Sequence, residues 1–274
     1  MIGVRLDGRL GNQLFQYAFA LSLSKTLKTS FYISQYNCYN LIYEYFVLPS
    51  NGKMRNKLIE RFFWKEMKYI EGIDFNVDNW MGKCIDPSAT YSGFMQSYLF
   101  FKNVETDVFR EFTIRKKWTR KFNQTYGAAF KNQKIIAIHV RKGDYTHFGH
   151  LHNNARDISL PIDYFLDCFK QIEKIEAYQV YFISDDIDYC KSAFGNIANA
   201  HFNKNNEIMD FQLLMNADIC IVSNSSFSWW AAFLNKKEHK EIFAPKYWMG
   251  YRDKKWSNPY IFEQLNWNVV HHEE

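Results

Sequence analysis

Four apolar runs in the second half of the chain, alternating with helical stretches, constrain the fold more than any other feature. Residues 135–140, 179–183, 218–222 and 241–244 have strand length and are rich in β-branched and aromatic side chains. Helical patterns follow roughly over 161–175, 187–194, 208–216 and 227–235. Short buried strands alternating with helices predict a parallel sheet covered on both faces. Ligands of such sheets bind outside the carboxyl ends of the strands. The residues just past each run are therefore where chemistry is sought.

The first half is less regular. A strand is expected over 2–6, a helix over 14–27 with Leu14, Tyr17, Ala18 and Leu21 on its apolar face, and a strand over 30–34. A basic amphipathic helix is expected over 54–69, and another helix over 118–131 leads into the second half. This predicts two α/β domains, 1–130 and 131–274. With 25 Phe, 18 Tyr and 8 Trp in 274 residues, both can build cores. The five cysteines are scattered and odd in number, which favours free thiols in a reducing compartment. A net charge of +5 suits an anionic ligand or membrane surface, and no nucleic-acid-binding signature accompanies it. No signal peptide or bilayer-length apolar run is read, so a cytoplasmic protein is expected.

Four loops carry candidate chemistry. In "DGRLGNQLFQYAFALS", Gly8 and Gly11 permit a tight turn before a helix opening near Asn12, so that backbone can approach a ligand. In "IAIHVRKGDY", His139 and Arg141 share one face at a strand end, with Lys142, Gly143 and Asp144 beyond. A guanidinium there fits a phosphate with two parallel hydrogen bonds. In "VYFISDDID", Asp185 and Asp186 serve as helix cap or as a brace for an arginine such as Arg141. Asp186-Ile187-Asp188 also matches a D-x-D metal pattern, but its place at a helix start favours capping. In "ADICIVSNSSFSWWAAFLN", four polar residues, Ser223 to Ser226, precede an aromatic helix whose N-terminus is suited to an anion. Trp229 and Trp230 read as core. Asp210 opens the helix before, as a cap or as a reader of a base edge.

These blocks, with "YSGFMQSYLFF", "LPIDYF" and "APKYW", resemble in order those of the bacterial inverting α-1,2-fucosyltransferase family over residues 3 to about 248. The resemblance implies a GT-B-type fold, two Rossmann-like domains facing across a cleft. It implies an acceptor-side first domain and a second domain binding GDP-β-L-fucose with no catalytic metal or other cofactor. The acceptor would be a galactose-terminated oligosaccharide, free or lipid-linked as in lipopolysaccharide or capsule assembly. His139 and Asp210 would contact guanine and Arg141 the β-phosphate. Ser225, Ser226 and Phe227 would hold the diphosphate, Asp185 would orient Arg141, Gly11 would contact the donor, and Asn12 would lie near the reacting centre. Lys142 stands where many relatives have a second arginine, and "THFGHLHNNARDIS" departs from the family pattern. For the general base, Asp144, His147 and His150 remain open. Other readings are a fucosyltransferase of α-1,6 or peptide-directed linkage, a non-catalytic nucleotide-sugar-binding module, and a peripheral membrane protein using the basic stretches at 54–69 and 115–121.

Overall fold

The computed structural model describes residues 1–34, 41–48, the backbone of 69–70, and residues 86–148, 156–256, 258 and 261–272. The chain divides into two compact units: Met1–Arg115 with Tyr260–Gln264, and Lys116–Pro259 with Leu265–Glu274.

The first unit contains β1 (Ile2–Arg5), α1 (Leu10–Thr26), β2 (Phe31–Ser34), α2 (Leu41–Tyr45), β3 (Tyr69–Ile70), β4 (Thr90–Tyr91) and α3 (Glu105–Glu111). Its described strands pair in parallel in the order β2-β1-β4-β3. Helix α1 begins at Leu10, earlier than the pattern suggested, because it is not a one-faced amphipath. Apart from Asn12, every residue from Leu10 to Ser24 is buried. Gly11 therefore lies in the first helical turn and not in the connecting loop. The loop's left-handed residue is Gly8, at φ +70°.

The second unit contains α4 (Lys116–Asn132), β5 (Lys134–Val140), α5 (Ile162–Lys170), β6 (Tyr178–Ser184), α6 (Ile187–Phe194), β7 (Ala200–Phe202), α7 (Glu207–Met215), β8 (Ile219–Ile221), α8 (Ser226–Phe233), β9 (Glu241–Pro245) and β10 (Asn268–Val270). Its described strands pair in parallel, in the order β10-β9-β8-β5-β6-β7. The chain runs outward from β5 to β7, then returns to the other side of β5 for β8 to β10. This is the order of dinucleotide-binding Rossmann sheets, and it reverses between β5 and β8.

Alternation along β5 sorts its side chains. Ile136, Ile138 and Val140 join a core with Tyr164, Phe165 and Cys168 of α5 and with Ile187, Cys190 and Phe194 of α6. His139 falls on the opposite face, against Phe227. Phe182 on β6 stacks on Phe194 and Phe202, with centroids 4.9 Å away in each case. Truncating it to alanine would cost about 3–5 kcal/mol. Trp229 and Trp230 are fully buried, as read from the sequence.

Three expectations meet corrections or limits. Helix α5 stops at Lys170, not near 175. Ile172 and Ile175 continue the apolar period, but they pack from a turn containing Lys174 at φ +53°. Strands β7 and β10 give no usable signal, being three-residue sheet edges. The helix expected over 54–69 lies outside the described residues except for Tyr69, whose backbone is in β3. Cys38, Cys84 and His150 also lie outside them. Cys168, Cys190 and Cys220 are free and buried.

Candidate functional site

The reversal between β5 and β8 gathers three strand-end loops of the second unit on one rim. Val140 of β5 pairs with Ser184 of β6, and Ile138 pairs with Ile221 of β8. Arg141, Asp185 and Ser223 therefore emerge side by side.

Arg141 is held from two sides. Its Nη1 lies 2.8 Å from Asp185 Oδ2 and its Nη2 donates to Asp144 Oδ1 at 2.6 Å. The carboxylates differ in standing. The Asp144 side chain is 67% exposed and that of Asp185 only 25%. Asp185 also accepts from the Lys142 backbone N–H at 2.9 Å through its other oxygen. It is thus a fixed brace, whereas Asp144 is a solvent-side contact of the kind that contributes about 0–1 kcal/mol. Gly143 makes the brace fit: at φ +23°, an added Cβ would fall 2.4 Å from Asp185 Oδ2.

Tyr145 underlies this arrangement. Its ring centroid is 5.1 Å from the Arg141 guanidinium carbon, and its hydroxyl donates to the Asn224 carbonyl at 3.3 Å. Burial pushes its phenol up to about 12, against the opposing pull of Arg141. Lys142 turns away from Arg141. Its Nζ donates to Ser159 Oγ at 3.1 Å and lies 4.4 Å from the centre of the Tyr189 ring. The charge of Lys142 is thus directed to the Asp157–Ser159 turn.

On the β8 side, His139 Nδ1 shares a 2.6 Å hydrogen bond with Ser223 Oγ, and its ring packs on Phe227, which meets Phe211 edge-on. Ser225 caps α8 with extended backbone, but its hydroxyl makes no capping bond to the helix. The first-turn N–H groups of α8, which include those of Ser226 and Phe227, have no acceptors within the helix, and the helix dipole makes this end positive. A guanidinium on one loop and a helix N-terminus on the next form a rim suited to an anion.

Asp210 sits in the first turn of α7 and does not cap it; Asn206 does, accepting from Met209 N–H at 3.1 Å. Asp210 Oδ1 instead accepts from Asn205 Nδ2 at 3.0 Å, and Asn205 Oδ1 accepts from Tyr126 at 2.8 Å. Burial pushes the Asp210 carboxyl up to about 7, with Asn205 pulling it back down. Asp186 is a cap, accepting from Tyr189 N–H at 3.0 Å, and Asp188 forms exposed pairs with Lys191 and Lys204.

Asn12 and Gly11 belong to the first unit. Asn12 Oδ1 accepts from Gln96 Nε2 at 2.9 Å. Two buried glutamines shape the Gly8 loop, a role the sequence reading missed. Gln13 donates to the Gly8 carbonyl, while Gln16 accepts from Asp7 N–H and donates to the Gly93 carbonyl. Their available signal is two glutamines three residues apart in an otherwise apolar helix. Tyr145 and Gly143 were likewise quoted within a motif without a role. Among the described residues, no three or more His, Cys, Asp or Glu side chains are grouped to hold a metal ion, and no helix is long and apolar enough to cross a membrane.

The sequence profile of Glycosyl transferase family 11 matches residues 1–269. An O-antigen biosynthesis glycosyltransferase of Escherichia coli, WbnK, is 24% identical over 91% of this chain and 95% of its own. An α-1,2-colitosyltransferase of Escherichia coli is also 24% identical, over 90% and 92%. Galactoside α-(1,2)-fucosyltransferase 1 of Oryctolagus cuniculus is 23% identical over 83% of this chain and 62% of its own. The crystal structure of NodZ α-1,6-fucosyltransferase soaked with GDP-fucose superposes with a TM-score of 0.56 at 14% identity, covering 85% of this chain and 92% of NodZ. The α/β fold is therefore of GT-B type, as the sequence resemblance implied.

Proposed function

The chain belongs to Glycosyl transferase family 11, and from that premise we propose that it transfers L-fucose from GDP-β-L-fucose to the 2-hydroxyl of a terminal galactose, with inversion and without a metal. The observation that carries the reading is Arg141, braced by Asp185 beside the N-terminus of α8 at the β5/β8 reversal. The α-1,2 linkage is favoured by two relatives whose names carry it, one a fucosyltransferase and one a colitosyltransferase.

In this reading the second unit, which begins at Lys116, holds the donor and the first unit serves the acceptor. Asp210 accepts from the N–H groups of guanine, and His139, set by Ser223 and Phe227, packs or bonds at the same base. The diphosphate takes the α8 end, with Ser225, Ser226 and Phe227 as donors, and it displaces Asp144 from Arg141 Nη2. The galactose oxygen then attacks the anomeric carbon from the face opposite the diphosphate. The C–O bond to fucose forms as that to the β-phosphate breaks, and the electron pair leaves on GDP. Arg141 and the α8 dipole stabilise that growing charge. Asp144, freed from Arg141, is the candidate to take the hydroxyl proton. For Asn12 as aligner of that hydroxyl, the support is the sequence resemblance alone.

The test is incubation with GDP-fucose, lactose and a chelator, followed by linkage analysis. The expected product is fucose on O2 of galactose, with Arg141→Ala slowed roughly 100- to 1,000-fold. A different linkage, dependence on added metal, or near-native turnover by Arg141→Ala would overturn the assignment.

A further inference from the structure

Helix α4 carries charge that neither fold nor proposed reaction uses. From Lys116 to Lys134 the sequence has six cations, Lys116, Lys117, Arg120, Lys121, Lys131 and Lys134, and no Asp or Glu. The whole chain has a net charge of +5, so the remainder carries −1. Most other charged clusters are internally paired, as in Asp107 with Lys25 and Arg110, or Asp218 with Lys237. Lys116, Lys117, Arg120, Lys121 and Lys131 are exposed, and among the described residues no carboxylate comes within ion-pair distance of them.

The placement opposes helix stability. Four of the cations fall in the first two turns of α4, where the dipole is already positive, and no acid occupies the first turn. The opposite face anchors the helix: Phe122 and Tyr126 are buried, and Tyr126 and Phe130 meet Tyr181 of β6. The cationic face is thus held outward on a rigid support. It presents a shallow, open depression of about 450 Å³ lined by Lys116, Thr119, Arg120, Asn123 and Gln124. Trp118 lies at its flank, half-buried, with the ammonium groups of Lys117 and Lys121 at 4.7 and 5.9 Å from its ring centre. Amphipathic rings set among lysines on an open face suit a lipid headgroup layer.

We infer that the Lys116–Lys121 end of α4 docks on a bilayer of anionic phospholipid. The partner chemistry is a plane of phosphodiester headgroups, met by many cations at once without a groove. Each lysine or arginine near such a surface adds to the attraction, and salt removes it.

The experiment is co-sedimentation of the full chain with vesicles of phosphatidylcholine alone or with 30% phosphatidylglycerol, at about 50 mM and 500 mM salt. Binding is expected only to the anionic vesicles at low salt. The variant K116Q/K117Q/R120Q/K121Q should partition at least ~30-fold less, with unchanged circular dichroism and unchanged transfer to a soluble acceptor. Should it misfold, K116Q/R120Q and K117Q/K121Q give the same readout in two halves. Binding unaffected by these changes, or equal on neutral vesicles, overturns the inference. So does failure to bind anionic vesicles, including the case where a single-stranded oligonucleotide binds at the same salt.

Discussion

Asp210 gives the sharpest test because its position costs stability that can be titrated. Burial raises its carboxyl from 3.8 to about 7. The folded state therefore holds the proton more tightly than the unfolded chain does. As pH rises above 3.8 the unfolded state gains by ionising. The penalty on folding grows until pH passes about 7 and is constant above it. At 1.36 kcal/mol per unit, a shift of about 3 units amounts to about 4 kcal/mol, of which about 2–3 kcal/mol develops between pH 5 and pH 8. Asp210→Asn keeps the amide of Asn205 satisfied and cannot ionise. Its melting temperature relative to the native chain should thus rise by about 5 °C more at pH 8 than at pH 5. If Asp210 reads guanine as proposed, adding GDP should narrow that gap, because a guanine edge would stabilise the carboxylate and would have less to offer an asparagine. Thermal unfolding of both proteins at the two pH values, with and without GDP, supplies the measurement. A difference in melting temperature independent of pH would refute the reasoning.

Gly143→Ala should lower kcat/KM at least about tenfold with a small change in melting temperature, since the new Cβ meets Asp185 Oδ2 and loosens Arg141; native kinetics would show that the brace is not needed. Tyr145→Phe should lose less than Tyr145→Leu, because the ring under Arg141 outweighs a 3.3 Å hydrogen bond. Steady-state comparison with GDP-fucose decides it, and equal losses would assign the effect to the hydroxyl. Asp144→Asn should lower turnover at least about tenfold if Asp144 takes the acceptor proton, whereas unchanged turnover in steady-state assays would remove it as base.

The rim was legible because parallel strands announce themselves as apolar runs and break off abruptly into polar residues. "IAIHV" followed by Arg141 and "DICIV" followed by Ser223 each read as a strand and a loop. Their adjacency was not legible: nothing in the sequence says that β8 lies beside β5 and not beyond β7. Side-chain direction was only half visible. The period of two put His139 and Arg141 on one face, but the diversion of Lys142 to Ser159 depends on a turn whose packing no local pattern encodes. The start of helix α1 was read four residues late because burial on all sides erases the stripe on which a periodic reading relies. Gln13 and Gln16 were passed over because a polar residue in such a helix looks like a surface residue until its partners are seen.

The separation of this sheet into a sealed interior and a rim of short loops bears on how the protein can diverge. Ile138 and Phe182 are locked in by neighbours on every side, so change there is met by unfolding. Asp144 is mostly in solvent and answers to one partner, so exchange there costs the fold little and is felt, if anywhere, in the chemistry. New sugars or nucleotides can therefore be explored one loop at a time on an unaltered frame.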